Sequence, residues 1–236
     1  MIPKKQPATN PKNKSFKTMY TPQKAKYYPT IDNTIRNPYG ISDEVVELAR
    51  KKPIAQRKVS IYVRTPVDGS DAEGDRLPLF SILRANSPQV YALRNEPSYI
   101  EKKFLEDQLP VFTPYCVLTY NHQLRAYYPI CYTCLMDFSI LQSDNKDIDL
   151  QQLRKELPNL PQIAYCGLAT NGIDLFCIIP ISTPQRYSDH ARALIHLFKQ
   201  SNVVIRVDDY IAHTRTLSSD PNGYFNENAL EFNQLW

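Results

Sequence analysis

QIAYCGLATNGIDLFCIIPIS, Gln162 to Ser182, decides how the second half of this 236-residue chain folds. Thr170-Asn171-Gly172 separates two apolar runs, and an asparagine–glycine pair supplies the positive-φ residues that a tight hairpin needs. The stretch therefore reads as two antiparallel strands around that turn. Upstream, DIDLQQLRKEL reads as a helix. Downstream, YSDHARALIHLFKQSN places Ala191, Leu194, Ile195 and Phe198 at i, i+3, i+4 and i+7, one apolar helical face. Farther out, LPVFTPYCVLTY (109–120) and CYTCLMDFS (131–139) read as consecutive strands joined by NHQLRAYYPI, and VVIRVDD as a strand after the last helix. Strand, helix, hairpin, helix and strand give an α+β fold: a mostly antiparallel sheet covered by helices, compatible with a split βαβ, RRM-like core.

The first half adds shorter elements. ISDEVVELARKK has an N-cap serine at Ser42, acids in its first turn and bases in its last, as a helix dipole prefers. VSIYVR (59–64) reads as a strand, and LPLFSILRA and PSYIEKKFLEDQ as short helices. Before them, Met1 to Thr30 contains five prolines, seven lysines and no acids. Such a segment buries too little apolar surface to offset its ordering entropy. The expected organisation is a disordered Lys/Pro-rich tail over 1–41 and a single domain over 42–236.

Charge is distributed unevenly. Residues 1–58 carry thirteen Lys/Arg and four Asp/Glu, whereas the rest carries fifteen and twenty. A basic segment thus precedes a mildly acidic body, and a polyanion is drawn to that segment or to a local basic groove. Phe16, Tyr20, Tyr27 and Tyr28 offer stacking faces within the tail. A solubilising tail and a nucleic-acid arm are both compatible with this composition. No apolar run is long enough to span a bilayer, and the first residues lack a signal-peptide centre, so a cytoplasmic protein without membrane association is expected. Five cysteines, an odd number, argue against a disulfide framework.

The cysteines also argue against metal. Cys131 and Cys134, three apart on a strand, point to opposite faces, and Cys166 and Cys177 fall in two different strands, so core packing is the expectation. His190 and His196 are six apart and share no face, His122 lies in a turn, and His213 stands beside Arg215 in AHTRT. No phosphate-cradling glycine motif occurs. The carboxylates carry more: two-metal nucleotidyl transfer uses converging acids, often Asp-x-Asp on one strand face. Here the pattern is Asp137-Phe138-Ser139, with Asp208-Asp209 at the end of another expected strand.

The order QLPVFTPYCVLTY, CLMDFSILQSDNKD, GIDLFCIIPISTP and VVIRVDDYIAHTRTLSSDPNGYFNENA resembles the VirE N-terminal-like domain family of mobile-element proteins, divergent relatives of archaeo-eukaryotic primases. The resemblance covers about residues 59–232. It is most specific at SSDPNGYFNENA, where Ser218, Asp220, Pro221, Tyr224 and Asn226 match the family's signature; Arg94 fits its upstream arginine. It implies an RRM-like catalytic core, Asp137 and Asp208 as catalytic and metal-holding acids, and magnesium or manganese as the ion. It also implies a nucleic-acid groove with His213, Arg215, Arg206, Ser218 and Asp220. The family's arginine before the signature corresponds to His213 or Arg215. The departures are Ser139 in place of the second acid and Phe176 where active primases carry a phosphate-contacting histidine. Asp220-Pro221-Asn222-Gly223 is also turn chemistry in its own right.

The expected function is accordingly a primase-like, catalytically degenerate module of a mobile-element replication system, binding single-stranded DNA or RNA. Because the chain ends at Trp236 without the ATPase that often follows this domain, a separately encoded helicase is the expected partner. Two alternatives stand beside it: an active nucleotidyl transferase using Asp137, Asp208 and Asp174, and a protein-interaction domain without a nucleic-acid role.

Overall fold

The computed structural model describes residues 40–62, 75–121, 123, 126–208 and 213–236. Nearly all of the expected tail lies outside the described residues. In chain order the elements are α1 (Asp43–Lys51), β1 (Lys58–Tyr62), β2 (Asp75–Pro78), α2 (Leu79–Leu83), α3 (Pro88–Asn95), α4 (Tyr99–Asp107), β3 (Val111–Thr113), β4 (Cys116–Asn121), β5 (Ala126–Tyr132), β6 (Leu135–Ile140), α5 (Leu150–Glu156), β7 (Tyr165–Leu168), β8 (Leu175–Pro180), α6 (Tyr187–Lys199), β9 (Arg215–Thr216) and β10 (Tyr224–Phe225). The fold is α+β, and every ladder among these strands is antiparallel.

The hairpin forms where its turn chemistry places it. Gly172 adopts φ +74°, and the Asn171 side chain accepts from the Ile173 and Asp174 amides. Its strands β7 and β8 sit in a sheet ordered β10-β7-β8-β6. All six residues of β6 and all six of β8 are buried, because both faces of this sheet are covered. Met136, Phe138, Ile140, Cys166, Cys177 and Ile179 alternate onto one face and pack with Leu150 and Leu153 of α5 and Ala191, Leu194 and Phe198 of α6. Leu135, Tyr165, Phe176 and Ile178 occupy the other face, against Val59, Phe112, Leu79 and Leu83. These last residues belong to β1, β3 and α2, around a second sheet ordered β2-β1-β3-β9.

The connectivity β6-α5-β7-β8-α6 follows the split βαβ order, with β6 beside β8 and β8 beside β7. Among the described residues, the expected closing strand VVIRVDD is reduced to one antiparallel bridge, Arg206 with Ser139, on the free side of β6. Both of its backbone hydrogen bonds measure 2.8 Å.

Three expectations change in detail. LPVFTPYCVLTY divides at Pro114-Tyr115, so that β3 stays beside β1 whereas β4 leaves to form a two-stranded ribbon with β5. The joining stretch NHQLRAYYPI itself supplies most of β5. CYTCLMDFS divides at Thr133-Cys134, where Cys134 turns through φ +55° and the Thr133 hydroxyl donates to the Pro114 carbonyl at 2.8 Å. All five cysteines are free thiols, four of them buried, and Cys131 and Cys134 no longer share a strand. Pro88–Asn95 forms a further helix, capped by Ser87 and without a strong apolar period. Among the described residues no helix is long and apolar enough to cross a membrane.

Helix α6 also corrects its expected face. Ala191, Leu194 and Phe198 are buried, but Ile195 is 38% exposed, and Tyr187 and His190 complete the buried stripe. Burial pushes His190 down to about 4. The neutral ring fits its contacts: Nε2 accepts from the Thr183 amide at 3.3 Å, and Nδ1–H donates to the Gln234 carbonyl at 2.7 Å. Leu194→Ala is expected to cost about 2–5 kcal/mol by chemical denaturation, whereas Ile195→Ala at the neighbouring position stays below about 1 kcal/mol. Equal costs at the two positions would contradict this helix register.

Candidate functional site

The antiparallel register of β6 and β8 sets Asp137 opposite Ile178 and Ser139 opposite Phe176. Alternation puts all four side chains on the face turned towards the second sheet. Asp137 is 0% exposed there. An ionised carboxylate at such a position requires partners, and the returning chain before and within β9 brings two. His213 Nε2 lies 2.9 Å from Asp137 Oδ1. Arg215 Nε donates to Asp137 Oδ2, and its Nη1 donates to the Ser139 hydroxyl at 2.7 Å. The guanidinium carbon also lies 5.1 Å from the centroid of the Phe176 ring, within cation–π range. Asp208 stands at the rim, 57% exposed, with Oδ2 3.8 Å from both His213 Nε2 and Arg215 Nη2.

Asp137, Ser139, Phe176, Asp208, His213 and Arg215 therefore form one cluster. Burial alone would raise the Asp137 carboxyl, but the charges of Arg215 and His213 outweigh it and hold the group at about 2, below its ordinary 3.8. Burial likewise works to lower Arg215, yet Asp137 prevails and keeps the guanidinium above its usual value. Both candidates for the family's arginine contact the same carboxylate. Where the resemblance implies a phosphate-contacting histidine, Phe176 instead offers its ring face to Arg215.

The remaining candidates lie elsewhere. Arg206 projects outward, 62% exposed, and forms a forked ion pair with Asp144 at 2.7 and 2.9 Å. Ser218 and Asp220 are each 3% exposed. The Asp220 carboxylate accepts from the Leu168 amide at 2.8 Å, Arg154 Nη2 at 2.7 Å and the Asn222 amide at 3.0 Å. It binds the C-terminal segment to β7 and α5, and no local spacing announces Arg154, a partner 66 residues away. Asp174 accepts from the Gln142 amide at 2.8 Å and from the Asn171 side chain at 2.7 Å, so it serves the hairpin turn. Arg94 donates to the Leu168 and Ala169 carbonyls, both at 3.0 Å, and clamps the end of β7.

The cluster as it stands does not fit a divalent metal. Both Asp137 oxygens are taken up, one by the His213 ring and one by the Arg215 guanidinium, and Ser139 accepts from Arg215. Among the described residues no three His, Cys, Asp or Glu side chains are grouped to hold an ion. Comparison of the chain with protein-family models, curated proteins and solved structures finds no match.

Two outcomes test the electrostatics. Arg215→Met leaves a buried carboxylate short of its main partner and is expected to cost about 3–5 kcal/mol, with most of that loss recovered in the double variant Asp137→Leu/Arg215→Met. A loss that the double variant does not recover would break the assigned pairing. Because the folded carboxyl is depressed, its stabilisation is present above its ordinary 3.8 and is lost as pH falls through about 2. Unfolding stability is expected to drop by about 2 kcal/mol across that window, a drop missing in Asp137→Asn.

Proposed function

We propose that this chain is a primase-like, nucleic-acid-associated module of a mobile-element replication or mobilisation system, in which the polymerising site is degenerate. One observation carries the reading: Asp137, in the position of a metal-holding acid, directs both oxygens to His213 and Arg215. Ser139 supplies no second negative charge beside it, and Phe176 cannot donate to a phosphate. The α+β architecture and the split βαβ order are compatible with the RRM-like core that the resemblance implies.

With His213 and Arg215 engaged internally, contact with single-stranded DNA or RNA falls to Arg206 at the rim and to the basic N-terminal residues. Ser218 and Asp220, being buried, act in this reading by holding the C-terminal segment in place. In this reading the chain works in the cytoplasm beside a helicase that supplies the motor. A protein-interaction role is favoured by a different observation: Tyr91 on α3 and Tyr99, Ile100 and Phe104 on α4 are 61–82% exposed, an unusual amount of apolar surface.

Template-directed primer synthesis with magnesium or manganese is the direct assay, and no product above background is expected. Robust synthesis that Asp137→Ala abolishes would replace the degenerate reading with an active transferase. Deleting residues 1–39, which hold eight Lys/Arg and one Asp, is expected to weaken binding of a single-stranded oligonucleotide and to flatten its salt dependence. No oligonucleotide binding by the intact chain at physiological salt would favour the protein-interaction role.

A further inference from the structure

Helix α1 ends in Arg50-Lys51, followed by Lys52, and its last carbonyls require donors. Arg57 provides them from within the protein, at 6% exposure. Its Nε donates to the Lys52 carbonyl at 3.2 Å and its Nη2 to the Arg50 carbonyl at 3.1 Å. Nη1 reaches the Thr133 and Cys134 carbonyls, both at 3.2 Å, and so fastens the helix to the kink before β6. A guanidinium has five N–H donors, so one on Nη2 has no acceptor among the described residues. No carboxylate pairs with Arg57 among the described residues. Glu231, the acid that acts on it through space, is bound to Arg50 at 2.6 and 3.0 Å.

This buried cation, held by carbonyls and without an ion-paired carboxylate among the described residues, lies on an open cleft of about 460 Å³ near the Pro180 end of β8. Arg50, Lys51, Lys52 and Arg57 line it, against the two acids Glu227 and Glu231. With Arg50 and Glu231 neutralising each other, Lys51, Lys52 and Arg57 face Glu227 alone and leave a positive excess, and the two lysines stand exposed with no ion pair among the described residues. Two of the helix-end carbonyls, those of Arg50 and Lys52, which would otherwise repel an anion, are covered by Arg57.

We propose that this cleft binds a phosphate group, held by the Lys51 and Lys52 ammoniums over the charge of Arg57. Lysines act as mobile point charges on phosphate oxygens, and a guanidinium N–H adds a directed donor. The volume falls within the range of small-molecule sites and admits a pyrophosphate or nucleotide, while the open form also admits a nucleic-acid backbone in transit. The site is separate from the Asp137 cluster and does not rest on the primase-like reading, since a free phosphate compound would occupy it equally.

The test compares the full-length chain with Lys51→Gln/Lys52→Gln and with a charge-matched control, Lys155→Gln/Lys199→Gln, whose lysines are exposed elsewhere. All four positions lie on the surface, so the variants keep the fold. Inorganic pyrophosphate is titrated by calorimetry, and a labelled oligothymidylate by fluorescence anisotropy at several salt concentrations. The cleft variant is expected to lose on the order of tenfold in pyrophosphate affinity, with the control unchanged. If a nucleic-acid backbone is the natural occupant, the cleft variant also binds the oligonucleotide more weakly, with a log–log salt slope shallower by about 1.4. Loss of pyrophosphate binding alone assigns the cleft to a free phosphate compound. Equal losses in both variants, or no loss of pyrophosphate binding in the cleft variant, would overturn the proposal.

Discussion

A single carboxylate buried between two sheets governs this structure. Asp137 stands on the central sheet, but its partners His213 and Arg215 belong to the chain that completes the other sheet. Their pairing is therefore a cross-layer tie as well as a local charge balance. Hydrophobic contacts between the layers, such as Phe112 against Phe176 with centroids 6.1 Å apart, are non-directional, whereas a forked guanidinium fixes position and angle. The same arrangement decides the chemistry. A carboxylate aimed at a guanidinium and an imidazole is an anchor, and the lone pairs that would bind an ion are already directed elsewhere.

Much of the architecture was legible because it rests on local patterns. Asn171-Gly172 specifies its hairpin through backbone conformation, and α5 and α6 announce themselves by their periodicity. The failures have physical causes. Ile195 fits the i+4 arithmetic of an apolar stripe, yet helix position and the neighbouring β6 face decide burial, and the true stripe runs through Tyr187 and His190. VVIRVDD has strand composition but, among the described residues, meets the sheet at Arg206 alone, since pairing depends on a neighbour being present. The strand expected over 109–120 runs through Pro114, and that two sheets diverge there is a tertiary fact.

The site was legible in its members rather than in their relations. Asp137, Ser139, Phe176, Asp208, His213 and Arg215 each drew attention from the sequence, and they lie together. What the sequence could not convey is that Arg215 points at Asp137 rather than outward, because that depends on a pairing 78 residues apart. Arg57 had no signal at all: a lone arginine after a helix looks like surface until the carbonyls around it are known. Ser218 and Asp220 stood out as a motif, and their burial shows that a distinctive short sequence can be as much a fastening as a contact surface.

The placement of β9 bears on how the chain is made. Strands β1 and β3 lie about fifty residues apart in the chain, but β3's other edge receives Arg215 and Thr216 only after about a hundred further residues have left the ribosome. Until then that edge presents unpaired backbone groups and an apolar layer without its cover. The nascent chain thus passes through a stage in which its first sheet is open to wrong pairing, and the arrival of a short charged strand, rather than a long apolar one, closes it. Truncated products that end before β9 would retain that open edge permanently.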